Sequence, residues 1–283
     1  MKNIGMKRLM KYVWLWFFVV IMVFPFIWLV SSSFKESRGI FATTFSLLPR
    51  DPDTGEISFT LNNYKAAFAY VSFGKYFANT LIVAVSNTIA NLVFNAMAGY
   101  SFARLRFKGK GFMFNFILAS MMIPATVMLV PNMIIINKLG LYGSLSALIV
   151  PFFMSVYNVF LMRQHFLSMP REIEESGIMD GASWYIIFWR IALPLARPLL
   201  VLLSIFTFMW NYNNFLWPLI VINDPDRYTL ALGLGSLISA TRSADMYPIM
   251  IAGSVIVALP LIILFLFLQK HIIKGINVGG VKG

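Results

Sequence analysis

Six long stretches without a single charged side chain constrain this sequence more than anything else in it. They run over residues 13–33, 77–103, 112–136, 144–162, 199–222 and 246–268, and none contains Asp, Glu, Lys, Arg or His. Each approaches the ~20 apolar residues that a helix needs to cross a bilayer core. A soluble domain would need far more charge than the 12% present beside 59% hydrophobic residues. The expected fold is therefore all-α: an integral membrane helical bundle of six transmembrane helices, a single transmembrane domain over residues 1–283. The apolar run from Tyr12 to Phe34 behind a basic N-terminus is too long for a signal-peptide core and lacks a small-residue cleavage site. It reads as a retained first span.

Basic residues set the orientation. Lys2, Lys7, Arg8 and Lys11 precede the first stretch; Arg104, Arg106, Lys108 and Lys110 follow the second. Arg163, Arg171, Arg190 and Arg197 lie between the fourth and fifth, and Lys270, Lys274 and Lys282 follow the last. These are 15 of the 23 Lys and Arg, and the positive-inside rule makes their side cytoplasmic, N-in and C-in. Four acids share that side (Glu172, Glu174, Glu175 and Asp180), so it holds 11 of the 12 net positive charges. Topology thus accounts for the basic balance, and no nucleic-acid partner is expected. With no cysteine and two histidines, neither disulfides nor a metal site is expected.

Uncharged spans offer no titrating relay of the kind that proton-coupled carriers use. No Gly-x-x-x-x-Gly-Lys-Ser/Thr loop is present, so the chain is not expected to hydrolyse nucleotide. It reads as a conduit driven from elsewhere, with no catalytic residue of its own.

The segment 163–198 carries the sharpest local signal. Pro170 suits a helix start and Glu172, Glu174 and Glu175 suit its first turns. Gly181 can end that helix in the left-handed conformation, and Ser183 can cap a second one from Trp184 to Ile191. This is a short helix–turn–helix with small residues at its centre and an apolar face too large to bury by itself: a docking element. The motif Glu175–Ser176–Gly177, then Gly181, then Ile191–Ala192–Leu193–Pro194 resembles the signature of binding-protein-dependent ABC importer permeases. Asp180–Gly181–Ala182–Ser183 resembles the form found in the carbohydrate subfamily, of the maltose permease G type. Phe160–Gln164, Trp210–Asn211, Trp217–Leu219 and the tail from Gly275 to Gly283 are also similar to that subfamily.

The resemblance implies a permease subunit of an ATP-driven importer in a bacterial or archaeal cytoplasmic membrane. Its implied partners are a second permease subunit forming a heterodimer, two ATPase subunits and an extracytoplasmic solute-binding protein that delivers a sugar. ATP and Mg would be bound by the ATPase, with no cofactor on this chain. Glu175, Ser176, Gly177, Asp180, Gly181 and Ala182 would form the ATPase-coupling loop, Glu175 meeting a basic residue there. Ser176 and Gly177 depart from the family's paired alanines. The turn-rich outer segment 49–58 also looks like an insertion.

Amides and aromatics inside the spans are the candidate substrate path: Asn211, Tyr212, Asn213 and Asn214 in the fifth, Tyr157 and Asn158 in the fourth, Asn91 in the second. Rings stack on sugar C–H faces, and planar amides pair with hydroxyls. Asn87, Asn91 and Asn95 share one helix face, and interhelical hydrogen bonding is their simpler role. The rival readings are an ABC permease for another solute, a carrier or channel acting alone, and a membrane scaffold.

Overall fold

In a computed structural model, described over residues 2–42, 46–240 and 243–279 with side chains over 8–42, 46–240 and 243–269, the chain is helical. Among the described residues the one bridge between extended segments pairs Arg50 with Ile57. In chain order the helices are α1 (Lys2–Ser32), α2 (Ser37–Ile40), α3 (Asn62–Tyr70), α4 (Phe73–Arg104), α5 (Lys110–Ser120), α6 (Leu129–Lys138), α7 (Ser146–Ile149) and α8 (Val156–Ser168). There follow α9 (Glu172–Met179), α10 (Trp184–Ile187), α11 (Leu193–Leu195), α12 (Arg197–Asn213), α13 (Leu216–Val221), α14 (Leu230–Ala240) and α15 (Tyr247–Gly279). Arg242, Lys282 and the end of the family-like tail, from Gly280, lie outside the described residues.

Among the described residues, three helices are long and apolar enough to cross a membrane: Arg8–Ser32 within α1, α4, and Ala244–Gln269, which runs into α15. Two bent pairs raise this to five when each pair is taken as one span. Ser146–Phe152 meets Val156–Ser168 at 41°, and Trp184–Leu195 meets Arg197–Asn213 at 76°. The stretch expected to cross at 112–136 is instead two helices, α5 and α6, parted by turns around Pro124. That at 199–222 breaks between α12 and α13. Proline explains part of this, because it removes a donor and blocks the preceding turn. Yet Pro25 and Pro260 lie within continuous helices, so proline alone does not decide where a span breaks. The apolar helix α14 was unexpected; at 11 residues it is too short to register as a span.

The chain divides into two compact units, residues 1–73 with 233–260, and residues 74–232 with 261–283. In the first, Asn63 Nδ2 donates to the carbonyls of Ser33 and Lys35 at 2.9 and 2.8 Å. The segment 49–58 closes as a small hairpin, with Ser58 N donating to Pro49 O at 2.9 Å and Asp51 N to Glu56 O at 2.9 Å. The apolar window of α1 has none of its residues buried.

The second unit holds the candidate sites. Gly99 lets α4 and α8 touch: a Cβ there would sit 2.5 Å from Met162 Cβ. The last carbonyls of α4, which have no helical partner, are met by cations. Arg163 Nε donates to Phe102 O at 3.1 Å, and Lys110 Nζ to Ala103 O and Leu105 O at 3.2 and 3.0 Å. Positive charge at a helix C-terminus is favourable for the same reason.

Candidate transport cavity and docking elbow

The break after α7 leaves backbone groups with no helical partner, and in hydrocarbon each of these costs several kcal/mol if unmet. The asparagine stripe of α4 meets them. Asn87 Nδ2 donates to Leu148 O at 2.9 Å and to Asn211 Oδ1 at 2.7 Å. Asn91 Nδ2 donates to Phe152 O at 2.9 Å, and Asn95 Oδ1 accepts from Ser155 N at 3.0 Å. Asn91 Oδ1 accepts from Asn95 Nδ2 and, at 2.7 Å, from Asn158 Nδ2. Asn158 reaches on to Thr207 Oγ1 at 3.3 Å. The stripe is thus interhelical glue, placed where a neighbouring segment has lost its own ladder.

Beside this network lies a cavity of about 550 Å³, within the range of roughly 300–1,000 Å³ usual for small-molecule sites. Its polar lining comes from Asn91, Ser155, Asn158, Thr207 and Asn211; Phe152, Tyr157, Phe206 and Trp210 supply rings. No lining residue is Asp, Glu, Lys, Arg or His. Tyr157, Phe206 and Trp210 are exposed, whereas Asn91, Asn158 and Asn211 are buried.

Four of the seven sequence candidates, Asn91, Tyr157, Asn158 and Asn211, meet at this cavity; Tyr212, Asn213 and Asn214 are not among its lining. Tyr212 is buried against Phe208. Asn213 is exposed, with its Nδ2 donating to Met209 O at 2.9 Å. Asn214 ends α12, its Oδ1 accepting from Trp217 N at 3.4 Å. A helix turns 100° per residue, so adjacent residues cannot all face one way. Thr207 and Phe206 were missed, although Thr207 lies one turn before Asn211 on the same face.

The elbow forms as its residues suggest. Helix α9 ends at Met179, Gly181 takes φ +79°, and Ala182 N closes back on Gly177 O at 2.9 Å. Ser183 caps α10 by accepting from Ile186 N at 3.4 Å. The turn Phe188–Ala192 is then π-helical, a wide turn frequent at functional sites. Gly177 is buried, and a Cβ there would lie 3.2 Å from Ile191 Cδ1. Glu175, Ser176, Asp180 and Gly181 are exposed and Ala182 is half-buried. Around them Ile178, Met179 and Tyr185 present an apolar face, Met179 at 88% exposure.

Glu174 points the other way. Its side chain is 5% exposed and its Oε1 accepts from Arg104 Nε at 3.0 Å. Burial pushes its carboxyl above the usual range, opposed by the charge and hydrogen bond of Arg104 and by Arg171. Sequence reading counted Arg104 only as a topological charge. Among the described residues, no cluster of three or more His, Cys, Asp and Glu side chains could hold a metal.

Residues 95–278 match the family described as binding-protein-dependent transport system inner membrane component. The chain is similar to the arabinooligosaccharides transport system permease protein AraQ of Bacillus subtilis (strain 168), 38% identical over 262 residues, 92% of this chain and 91% of that one. Its counterpart from Halalkalibacterium halodurans is 35% identical over 268 residues, 94% of each. The maltodextrin transport system permease protein MdxG of Bacillus subtilis (strain 168) is 30% identical over 282 residues, 98% of this chain and 97% of that one. In fold, the chain matches a subunit in the crystal structure of a bacterial ABC transporter involved in the import of the acidic polysaccharide alginate. That match has a TM-score of 0.82 at 22% identity and covers 95% of this chain and 98% of the other.

Proposed function

The chain belongs to the family of binding-protein-dependent transport system inner membrane components, and we propose that it is the permease subunit of an ATP-driven sugar importer. It works as one six-span transmembrane domain, N-in and C-in, in a bacterial or archaeal cytoplasmic membrane. A second permease subunit, two ATPase subunits and an external solute-binding protein complete the machine. ATP and Mg are held by the ATPase.

The observation that carries this reading is the elbow. Its outer face exposes Ile178, Met179 and Tyr185 beside Glu175, a mixed apolar and acidic surface suited to a groove with a basic residue. The left-handed Gly181 sets the two short helices at their angle. Closure of an ATPase dimer then draws the elbow inward, and the spans alternate between inward-open and outward-open. The cavity supports the choice of cargo. Exposed rings at Tyr157, Phe206 and Trp210 and amides at Asn91, Asn158 and Asn211 suit an uncharged saccharide. The names of the similar permeases agree with an oligosaccharide.

The test is co-purification and uptake after Glu175→Lys or Gly181→Asp. Both changes are expected to abolish ATPase association and oligosaccharide uptake together. Unchanged association and uptake in both variants sink the assignment.

A further inference from the structure

Helix α9 is joined to its neighbours by turns at both ends: Met169 is extended before Pro170, and Gly181 is left-handed after it. Neither turn is a stiff lever. Motion imposed on α9 therefore passes to the membrane through side chains as well as through the chain, and the second unit provides one buried polar route. Arg104, the last residue of α4, donates from Nε to Glu174 Oε1 at 3.0 Å and from Nη2 to Met169 O at 2.6 Å. One guanidinium therefore grips both sides of the Pro170 turn. The two side chains are 4% and 5% exposed, so water and salt screen the pair little. One turn earlier, Tyr100 packs on Phe188 of the elbow with ring centroids 5.2 Å apart.

Helix α4 is also the wall of the cavity. Asn91 lies thirteen residues before Arg104, about 20 Å along the axis at 1.5 Å per residue, and lines the cavity while holding the carbonyl of Phe152. A rigid helix thus runs from the elbow to the cavity.

We propose that Arg104 and Glu174 are positioning residues, an ion pair that transmits elbow movement to α4 and so to the cavity wall. The inference rests on the importer reading above. Its content is that the drive enters through α4, by this pair, rather than only through the chain-adjacent α8 and α12.

The chain has no cysteine, which allows a clean reporter. Tyr157→Cys on the cavity wall is labelled with a water-soluble maleimide in the whole importer, in proteoliposomes with the binding protein present. Labelling is compared with and without trapping by Mg-ATP and vanadate. In the parent, trapping is expected to change the labelling rate by about tenfold or more. In Arg104→Met and in Glu174→Met, ATP hydrolysis persists but the change falls below about twofold. The charge swap Arg104→Glu with Glu174→Arg recovers it, a result that purely steric roles for the two side chains do not produce. Single variants that keep the parental change overturn the link. Where the singles fail to assemble with the ATPase, the swap decides: assembly and cycling regained support the link, and assembly not regained overturns it. A parent that shows no nucleotide-dependent labelling removes the importer reading itself, and the link with it.

Discussion

Gly99→Ala is expected to be among the most damaging single-methyl additions in this chain. The added Cβ would lie 2.5 Å from Met162 Cβ and 2.9 Å from Arg163 N, whereas ordinary contact begins near 3.4 Å. The first obstacle is anchored on its own Cα and the second is backbone, so neither can swing aside. Helices α4 and α8 must therefore separate. Overpacking of this kind costs about 1–3 kcal/mol, and membrane helices rely on small residues at such crossings. Separation also strains bonds that join the same two helices, Asn158 Nδ2 to Asn91 Oδ1 at 2.7 Å and Arg163 Nε to Phe102 O at 3.1 Å. The expected total is about 2–4 kcal/mol. Reversible unfolding in mixed detergent, followed by tryptophan fluorescence, measures it, with Gly111→Ala as control because nothing lies within 4 Å of its Cβ position. A Gly99→Ala protein within about 0.5 kcal/mol of the control would falsify the close crossing.

At the elbow, Gly177→Ala should be neutral or slightly stabilising. Its Cβ meets the tip of Ile191 at 3.2 Å and Ile187 Cγ1 at an ordinary 3.5 Å, both on movable side chains, and alanine gains about 0.5–1 kcal/mol over glycine within a helix. Gly181→Ala should instead cost about 1–2 kcal/mol from its left-handed backbone alone, read as faster hydrogen exchange at the Ala182 amide. In the ladder, Asn91→Leu removes three hydrogen bonds and Asn95→Leu two. At about 0.6 kcal/mol per bond plus the desolvation of orphaned groups, Asn91→Leu should unfold more easily, and the reverse order in detergent unfolding contradicts the assignment. For Arg104→Met the pH dependence has a definite sign. Burial raises the Glu174 carboxyl, and loss of Arg104 raises it further, so the cost of the buried anion is present at high pH and relieved as pH falls. The melting temperature of the variant should approach the parent's as pH falls from above neutrality toward the ordinary carboxylate range; an unchanged gap refutes this.

What could be read from residues alone follows a physical divide. The long helices α1, α4 and α15 were legible because apolar content over twenty residues is a local property. So was the elbow, since Pro170, Gly181 and Ser183 act on their own backbone. The breaks in the other stretches were not legible. A membrane helix can stop only where something else bonds its free carbonyls and amides, and for the stretch 144–162 that is Asn91 and Asn95 on another helix. Hydropathy records neither donor nor distance. The roles of Glu174 and Glu175 also differ for a reason that composition hides: adjacent residues on a helix face 100° apart, so one meets Arg104 and the other faces outward. The buried Gly177, three residues on, marks the inner face on which Glu174 lies.

The ladder also limits how such a cavity can be tuned to its cargo. Asn91, Asn158 and Asn211 line the cavity, yet each already has amide bonds to Phe152, Thr207 or Asn87. Exchanging Asn91 for a better sugar ligand reopens a backbone break, and exchanging Asn158 or Asn211 orphans a buried amide partner, at a cost comparable to any binding gain. Tyr157 and Phe206 carry no such duty and are exposed; Trp210 is exposed too, with one edge contact to Phe152 at 5.0 Å between ring centroids. Shape and stacking at these rings can change without loosening the bundle. Selectivity of this subunit is therefore expected to lie in its aromatic wall, while the amides hold the wall in place.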